Sequence, residues 1–248
     1  MENVITYENL RNFAYSNDDL IQGPIRGVIL EFMGLNGSAM YDAHTERGID
    51  LAARGIVLMI PYNNPWNWMN RQAVDFTDAL LEALRAHYDL KADPPIVSTG
   101  GSMGGLCALV YARTARVTPI ACVVNCPVCD LPFHYTERPD LPRTLLSAYQ
   151  TEPYATLDEA LKAHSPLHLA AELPDISYSL FHCLEDRMVD IRAHSERFVA
   201  AMRACGKHIQ YFKVPGRDHC DLDEEARARY HHLAVESIER ARGVKSNG

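Results

Sequence analysis

The chain has 248 residues, 47% of them hydrophobic, and a formal net charge of −8. That is long and apolar enough for one large core, and it fits a single domain over residues 1–248 better than two. An acidic chain without a basic stripe argues against nucleic acid, and no apolar run approaches the roughly 18 residues of a membrane span. Met1 to Leu10 is polar and acidic where a secretory signal is basic and then apolar, which predicts a cytoplasmic protein.

Taken in order, Val4 to Tyr7 and Asn12 to Tyr15 are candidate short antiparallel edge strands, and Gly23-Pro24 is a turn signal. Gly27 to Phe32 reads as a buried strand ending in the two-glycine loop Met33-Gly34-Leu35-Asn36-Gly37-Ser38. Met40 to Arg54 is a candidate helix closed by Gly55. Ile56 to Ile60 is a continuous apolar run, the mark of a central parallel strand. The loop after it holds both tryptophans, Trp66 and Trp68, which either line a pocket or anchor the loop on the core. Arg71 to Tyr88 has a helical apolar period, and Asp93-Pro94-Pro95 breaks the chain before the next β-branched run, Ile96 to Thr99.

Leu106 to Ala115 then reads as a helix, and Pro119 to Val124 as another buried strand. Residues 130–176 interrupt the alternation with six prolines (Pro132, Pro139, Pro142, Pro153, Pro166, Pro174) and two short helical stretches, Arg143–Tyr149 and Leu157–Ala163. They are read as a cap-like insertion after the sixth strand, packed over the site. The alternation resumes with strand Ser177–Cys183, helix Ile191–Cys205 capped by Gly206, strand His208–Val214, and a terminal helix from Leu222 to Arg242 started by Asp221 or Asp223. Alternating strands and helices predict an α/β fold with a mostly parallel central sheet and helices on both faces.

Between the strand ending at Thr99 and the helix starting at Leu106 stands Gly100-Gly101-Ser102-Met103-Gly104. A serine on a sharp strand-to-helix turn matches the nucleophile elbow G-x-S-x-G, where glycines admit a turn that a Cβ would obstruct. The following helix aims its free N–H groups at the site. The plainer alternatives are a glycine-rich turn before a helix and a phosphate cradle, and the latter lacks the Gly-Lys-Ser/Thr of a P-loop.

A serine hydroxyl needs a base, and the base an orienting acid. In an open parallel sheet such groups gather beyond the carboxyl ends of the strands. After strand 177–183 the acids are Glu185, Asp186 and Asp190, and Asp186 is the best placed. After strand 208–214 comes Pro215-Gly216-Arg217-Asp218-His219-Cys220, and His219 suits the base better than His208, in the strand, or His231 and His232, in the last helix. The order serine, acid, histidine is that of α/β-hydrolases. The oxyanion hole should use the amide of Met103 and a second one after strand 27–32: Leu35 first, or Met33 or Phe32 in a shifted register.

Seven cysteines, an odd number, suit a reducing compartment. Cys122, Cys126 and Cys129 cluster, and Cys126-Pro127-Val128-Cys129 has metal-ligand spacing, but no second ligand pair follows at short range. Buried free thiols are the expected reading.

Gly-Gly-Ser-Met-Gly-Gly at 100–105, Ser165-Pro166-Leu167, Glu185 to Val189 and Gly216 to His219, in that order, resemble the α/β-hydrolase superfamily over nearly the whole chain. More closely, they are similar to stand-alone catalytic domains related to prolyl oligopeptidases and dienelactone hydrolases. The resemblance implies a Ser102–Asp186–His219 triad with no metal or cofactor. Two features depart from it. The peptidases usually carry His-Gly-Gly where this chain has Phe32-Met33-Gly34-Leu35-Asn36, and dienelactone hydrolases normally carry cysteine at the position of Ser102. No β-propeller precedes the domain in this sequence, so the expectation is an esterase of small ester or short acyl substrates. Peptidase, lactonase and thioesterase are variants of the same chemistry. Acyltransfer and a non-catalytic ligand-binding role on the same fold are the rivals. The sequence is compatible with a homo-oligomer.

Overall fold

The computed structural model describes residues 4–90 and 92–243. Residues 1–3, part of the stretch weighed as a leader, and 244–248 lie outside the described residues. Seven strands form one sheet in the order β1-β3-β2-β4-β5-β6-β7. They are β1 (Ala14–Ser16), β2 (Gly27–Phe32), β3 (Ile56–Pro61), β4 (Ile96–Gly101), β5 (Ala121–Asn125), β6 (Ser177–Cys183) and β7 (Ile209–Val214). Only β1 runs antiparallel, pairing Tyr15 with Ile60; β2 through β7 are parallel. Their carboxyl ends therefore share one edge, where the chemistry of such sheets collects.

The helices are α1 (Glu46–Ala53), α2 (Arg71–His87), α3 (Met103–Thr114), α4 (Leu131–Glu137), α5 (Leu141–Tyr149), α6 (Leu157–Ala163), α7 (Arg197–Ala204) and α8 (Glu224–Ala241). The strand period of two divides the core. Val28, Leu30 and Phe32 belong to one core cluster with residues of α2, α3 and α7, while Ile29, Ile56 and Leu58 belong to the other, with Leu51 of α1 and Tyr230, Ala234 and Ile238 of α8. Strands covered on both faces need no polar alternation, hence the unbroken run Ile56–Ile60.

Several boundaries moved. Val4–Tyr7 is not a strand: Tyr7–Asn12 is a 3-10 segment, its Tyr7 hydroxyl bonded to Asp18 at 2.6 Å, and the edge strand is only Ala14–Ser16. The interruption between strands accordingly follows the fifth strand, not the sixth. Helix α1 begins six residues later than Met40, because the capping oxygen is that of Thr45, which accepts from Gly48 N, and Met40 itself is exposed. Helix α4 was not anticipated. It starts on Asp130, whose side chain accepts from Phe133 N, with Pro132 in its first turn. The stretch before α7 opens as a π-helical turn, Arg192–Glu196, its start tied to Asp190 through the amides of Arg192 and Ala193. Asp223, rather than Asp221, caps α8.

The residues between β5 and β6 contribute Leu131, Leu141, Leu145, Tyr149 and Leu161 to the main core cluster. Tyr149 donates to the carbonyl of Trp68, and Asn70 donates to that of Ala148, so this segment is bolted to the loop after β3. Every residue from Met103 to Ala112 is buried, which explains why α3 is apolar all round instead of amphipathic.

Candidate active site

Ser102 stands at the junction of β4 and α3 with φ 58° and ψ −126°. Few non-glycine residues adopt this conformation, and it is held by neighbours that leave no room to relax. A Cβ on Gly104 would come 2.1 Å from the Phe32 carbonyl oxygen, and one on Gly100 would come 2.4 Å from that of Gly104. The glycines are thus required by the close passage of α3 over β2 and β4. Ser102 N donates to Asn125 O at 3.0 Å, and the Ser102 carbonyl accepts from Gly105 and Leu106, starting the helix.

Asp186 lies in the turn after β6, with its side chain fully buried. Its Oδ1 accepts from the amides of Met188 (2.8 Å) and Val189 (2.9 Å), which fixes the carboxylate plane. Its Oδ2 lies 2.7 Å from His219 Nδ1 and 3.2 Å from His182 Nε2. Burial alone would raise the carboxyl pKa. The hydrogen bonds from His182 and His219 outweigh it and hold Asp186 well below the usual carboxylate range. The loops after β6 and β7 are tied by Leu184 N to Val214 O, Glu185 N to Arg217 O, and the Arg187–Asp218 ion pair. Glu185 is exposed, and Asp190 is occupied at the π-helical turn.

His219 sits after β7 with its side chain 20% exposed. Burial would lower its pKa, but the Asp186 carboxylate, together with Cys126, raises it to about 9. Contact with Cys183 lowers the Cys126 pKa, yet the Cys220 thiol and burial carry it to about 11. Cys126 is therefore a neutral thiol at pH 7, and Asp186 is the charge acting on the imidazole there. The Nε2 side faces Cys220 Sγ at 3.7 Å. Among the described residues no hydrogen bond joins the Ser102 hydroxyl to His219. The two are linked through Asn125, which accepts from Ser102 N and donates from Nδ2 to the Cys220 carbonyl at 3.1 Å. Gly101 belongs to the same junction: a Cβ there would come 3.0 Å from Cys220 Sγ.

Met103 opens α3, so its amide has no partner within the helix. On the other side of Ser102, Gly34 to Gly37 form a turn closed by Gly37 N to Gly34 O at 2.9 Å, with Asn36 at φ 64°. No backbone bond among the described residues uses the Leu35 amide. This loop abuts the elbow: a Cβ on Gly34 would be 3.9 Å from Ser102 Cβ.

The tryptophans part company. Trp66 Nε1 donates to Asn36 Oδ1 at 2.7 Å and the ring lines a cleft of about 400 Å³ with Tyr62, Asn64, Asn70 and Phe76. Trp68 is fully buried, with Nε1 on Thr144 and its ring edge-on to His134; it anchors the loop to α5 and lines no opening. Its selection as a pocket residue is corrected accordingly: at φ 43° the backbone turns the ring inward.

His182 was missed. It is fully buried, accepts the Ser195 hydroxyl at Nδ1 (2.6 Å) and presents Nε2 to Asp186, backing the carboxylate from the side opposite His219. Its place in an apolar strand read as core; only its spacing of four before Asp186 hinted otherwise.

The sequence profile of the prolyl oligopeptidase family matches residues 66–240. The chain belongs to that family. Its fold is also that of solved α/β-hydrolases. A puromycin-hydrolyzing peptidase of Mycobacterium tuberculosis superimposes with a TM-score of 0.69 at 19% identity, over 92% of this chain and 36% of that one. The acylaminoacyl peptidase of Pyrococcus horikoshii gives 0.66 at 17% identity, over 88% and 37%. Esterase 2 of Thermogutta terrifontis gives 0.65 at 20% identity, over 95% and 91%. The chain thus spans about a third of the length of the peptidases and nearly all of the esterase. No curated protein sequence gives a significant match. Among the described residues no helix is long and apolar enough to cross a membrane.

Proposed function

We propose that this family member is a serine hydrolase that cleaves carboxylic esters of small substrates through an acyl-enzyme on Ser102. The observation that carries the reading is a serine held at φ 58° on the strand–helix junction, on the same sheet edge as an imidazole bonded to a buried carboxylate at 2.7 Å. Ser102 Oγ attacks the carbonyl carbon as its proton passes to His219 Nε2. Asp186 keeps the proton of Nδ1 in place and stabilises the imidazolium. The Met103 amide and one from the Met33–Asn36 loop, Leu35 foremost, receive the developing oxyanion. The imidazolium then protonates the leaving alkoxide, and water, deprotonated by the same ring, releases the acid.

Ester is favoured over peptide by the loop Phe32-Met33-Gly34-Leu35-Asn36, which stands where the peptidases usually carry His-Gly-Gly. The family match favours the peptidase reading, so the experiment carries both. Hydrolysis of short and medium p-nitrophenyl esters is compared with that of aminoacyl p-nitroanilides, for the wild type and Ser102→Ala. The expected result is a nitrophenol burst with esters, absent in Ser102→Ala, and fluorophosphonate labelling of Ser102. Faster anilide cleavage would transfer the assignment to a peptidase. No turnover and no labelling would end the hydrolase reading.

A further inference from the structure

Behind the outer nitrogen of His219 lies a pair of thiols that the proposed chemistry does not use. Cys126 Sγ, Cys220 Sγ and a His219 ring nitrogen lie within 4.8 Å of one another. The Cys220 sulfur is 3.7 Å from His219 Nε2. A tetrahedral zinc ion with Zn–S near 2.3 Å and Zn–N near 2.0 Å separates its ligand atoms by roughly 3.5–3.8 Å. We propose that Cys126, Cys220 and His219 form a site for a thiophilic divalent cation such as Zn2+, and that its occupation reversibly silences the hydrolase. The silencing, though not the site, rests on the function proposed above.

Three features of the structure fit the cation. His219 directs Nδ1 at the ionised Asp186, which can only accept, so the lone pair of the neutral ring is on Nε2, the atom that faces Cys220 Sγ. A carboxylate behind a ligating histidine is the usual outer shell of zinc. Cys126 Sγ accepts two backbone N–H groups, from Cys183 at 3.3 Å and Cys220 at 3.4 Å, which orient its lone pairs and offset part of the charge of a bound thiolate. Zn2+ with two thiolates and a neutral imidazole is a neutral unit, suited to a site whose inner wall, Cys126, is fully buried while Cys220 and His219 reach solvent. Binding forms two Zn–S bonds and one Zn–N bond, releases to solvent the two thiol protons and, from the imidazolium form, the Nε2 proton of His219, and changes no oxidation state. It also takes the lone pair that would accept the Ser102 proton.

A second imidazole–carboxylate cluster, around Glu137, lacks this arrangement. Glu137 lies between His134 and His194, but His194 Nδ1 accepts the amides of Cys129 and Asp130 at 3.0 and 3.1 Å. Its Nε2 therefore carries the proton directed at Glu137 and has no lone pair for a cation.

The test is a titration of the purified chain with Co2+, read by the thiolate-to-cobalt charge-transfer and tetrahedral d–d bands, beside Zn2+ titration of p-nitrophenyl ester hydrolysis. Both are run on the wild type, Cys126→Ser, Cys220→Ser and Cys205→Ser, the last an exposed thiol elsewhere. We expect both bands at one Co2+ per chain and inhibition that a chelator reverses. Cys220→Ser should lose the charge-transfer band or halve it, and need more than roughly tenfold more Zn2+ for half-inhibition, since losing one of three ligands exceeds the cost of losing an outer-shell partner. Cys205→Ser should match the wild type. Absence of the charge-transfer band, or its survival in both Cys126→Ser and Cys220→Ser, overturns the site, and active enzyme indifferent to saturating Zn2+ overturns the silencing. A thiol-dependent cobalt signature in a protein that hydrolyses nothing would retain the site while removing the hydrolase reading.

Discussion

Asp186→Asn is the most incisive perturbation, because four N–H groups converge on that one carboxylate. An amide keeps a single acceptor oxygen. The amides of Met188 and Val189, at 2.8 and 2.9 Å, belong to the turn itself and will claim it. The new NH2 then faces His219 Nδ1 and His182 Nε2. His182 retains the Val189 carbonyl as an alternative acceptor at 3.2 Å, so it can hold its proton. His219 has no such alternative and must accept at Nδ1, which moves its proton to Nε2. That is the tautomer that cannot take a proton from Ser102.

A wrong tautomer of this kind lowers kcat by about 10⁴-fold, or about 5.4 kcal/mol of transition-state stabilisation. The folding cost is smaller, about 1–3 kcal/mol for the unmatched donors. The assay is burst and steady-state hydrolysis of a p-nitrophenyl ester across pH 5–10, with urea unfolding as the control. On the proposed mechanism the neutral imidazole of the wild type is the active form, and its pKa is raised to about 9. Activity should therefore climb through neutral pH, reach half its maximum near pH 9 and level off above that, standing at pH 7 about a hundredfold below the plateau. In the variant that limb should move to lower pH at a much reduced plateau. A variant that folds and keeps kcat within tenfold of the wild type would refute the assignment of Asp186.

Three further outcomes follow from the geometry. Gly104→Ala should unfold at markedly lower urea concentration, a loss of about 3 kcal/mol or more, because its Cβ would meet the Phe32 carbonyl rather than a movable side chain. Trp66→Phe keeps an aromatic ring, smaller than the indole, and removes the Asn36 bond, so kcat should fall several-fold, by the worth of one hydrogen bond of about 0.5–1.5 kcal/mol; unchanged kcat would detach the Leu35 loop from catalysis. For Glu137, burial raises the carboxyl pKa, but the hydrogen bonds of His134 and His194 bring it down to about 2. A depressed carboxyl stabilises the fold fully above its ordinary value and loses that contribution as pH falls. Glu137→Gln should thus cost about 1.5–3 kcal/mol at pH 7, and urea unfolding should show the difference vanishing as the pH falls from about 4.5 to about 2.

The apolar run Ile56–Ile60, the glycine-flanked Ser102 and the loops ending at Asp186 and His219 were legible because each obeys a local rule. Strands buried on both faces need no polar alternation. A turn pressed between β2 and β4 admits only glycine. A parallel sheet delivers its loops to one edge. The chain by itself therefore determined the parallel strands β2 to β7 and the candidate serine, acid and histidine. Only the tertiary structure decided the rest, since it depends on contacts between distant residues. Trp66 and Trp68 are two positions apart, yet one meets Asn36 and the other is buried against Thr144, a choice made by α5 packing on the loop. His182 looks like core in its strand until the turn after β6 folds the Asp186 carboxylate back onto it. Cys126 and Cys220 stand 94 residues apart, and no spacing in the sequence joins them. The parallel pairing of β5, β6 and β7 brings their carboxyl ends side by side, and that sets the two sulfurs against His219.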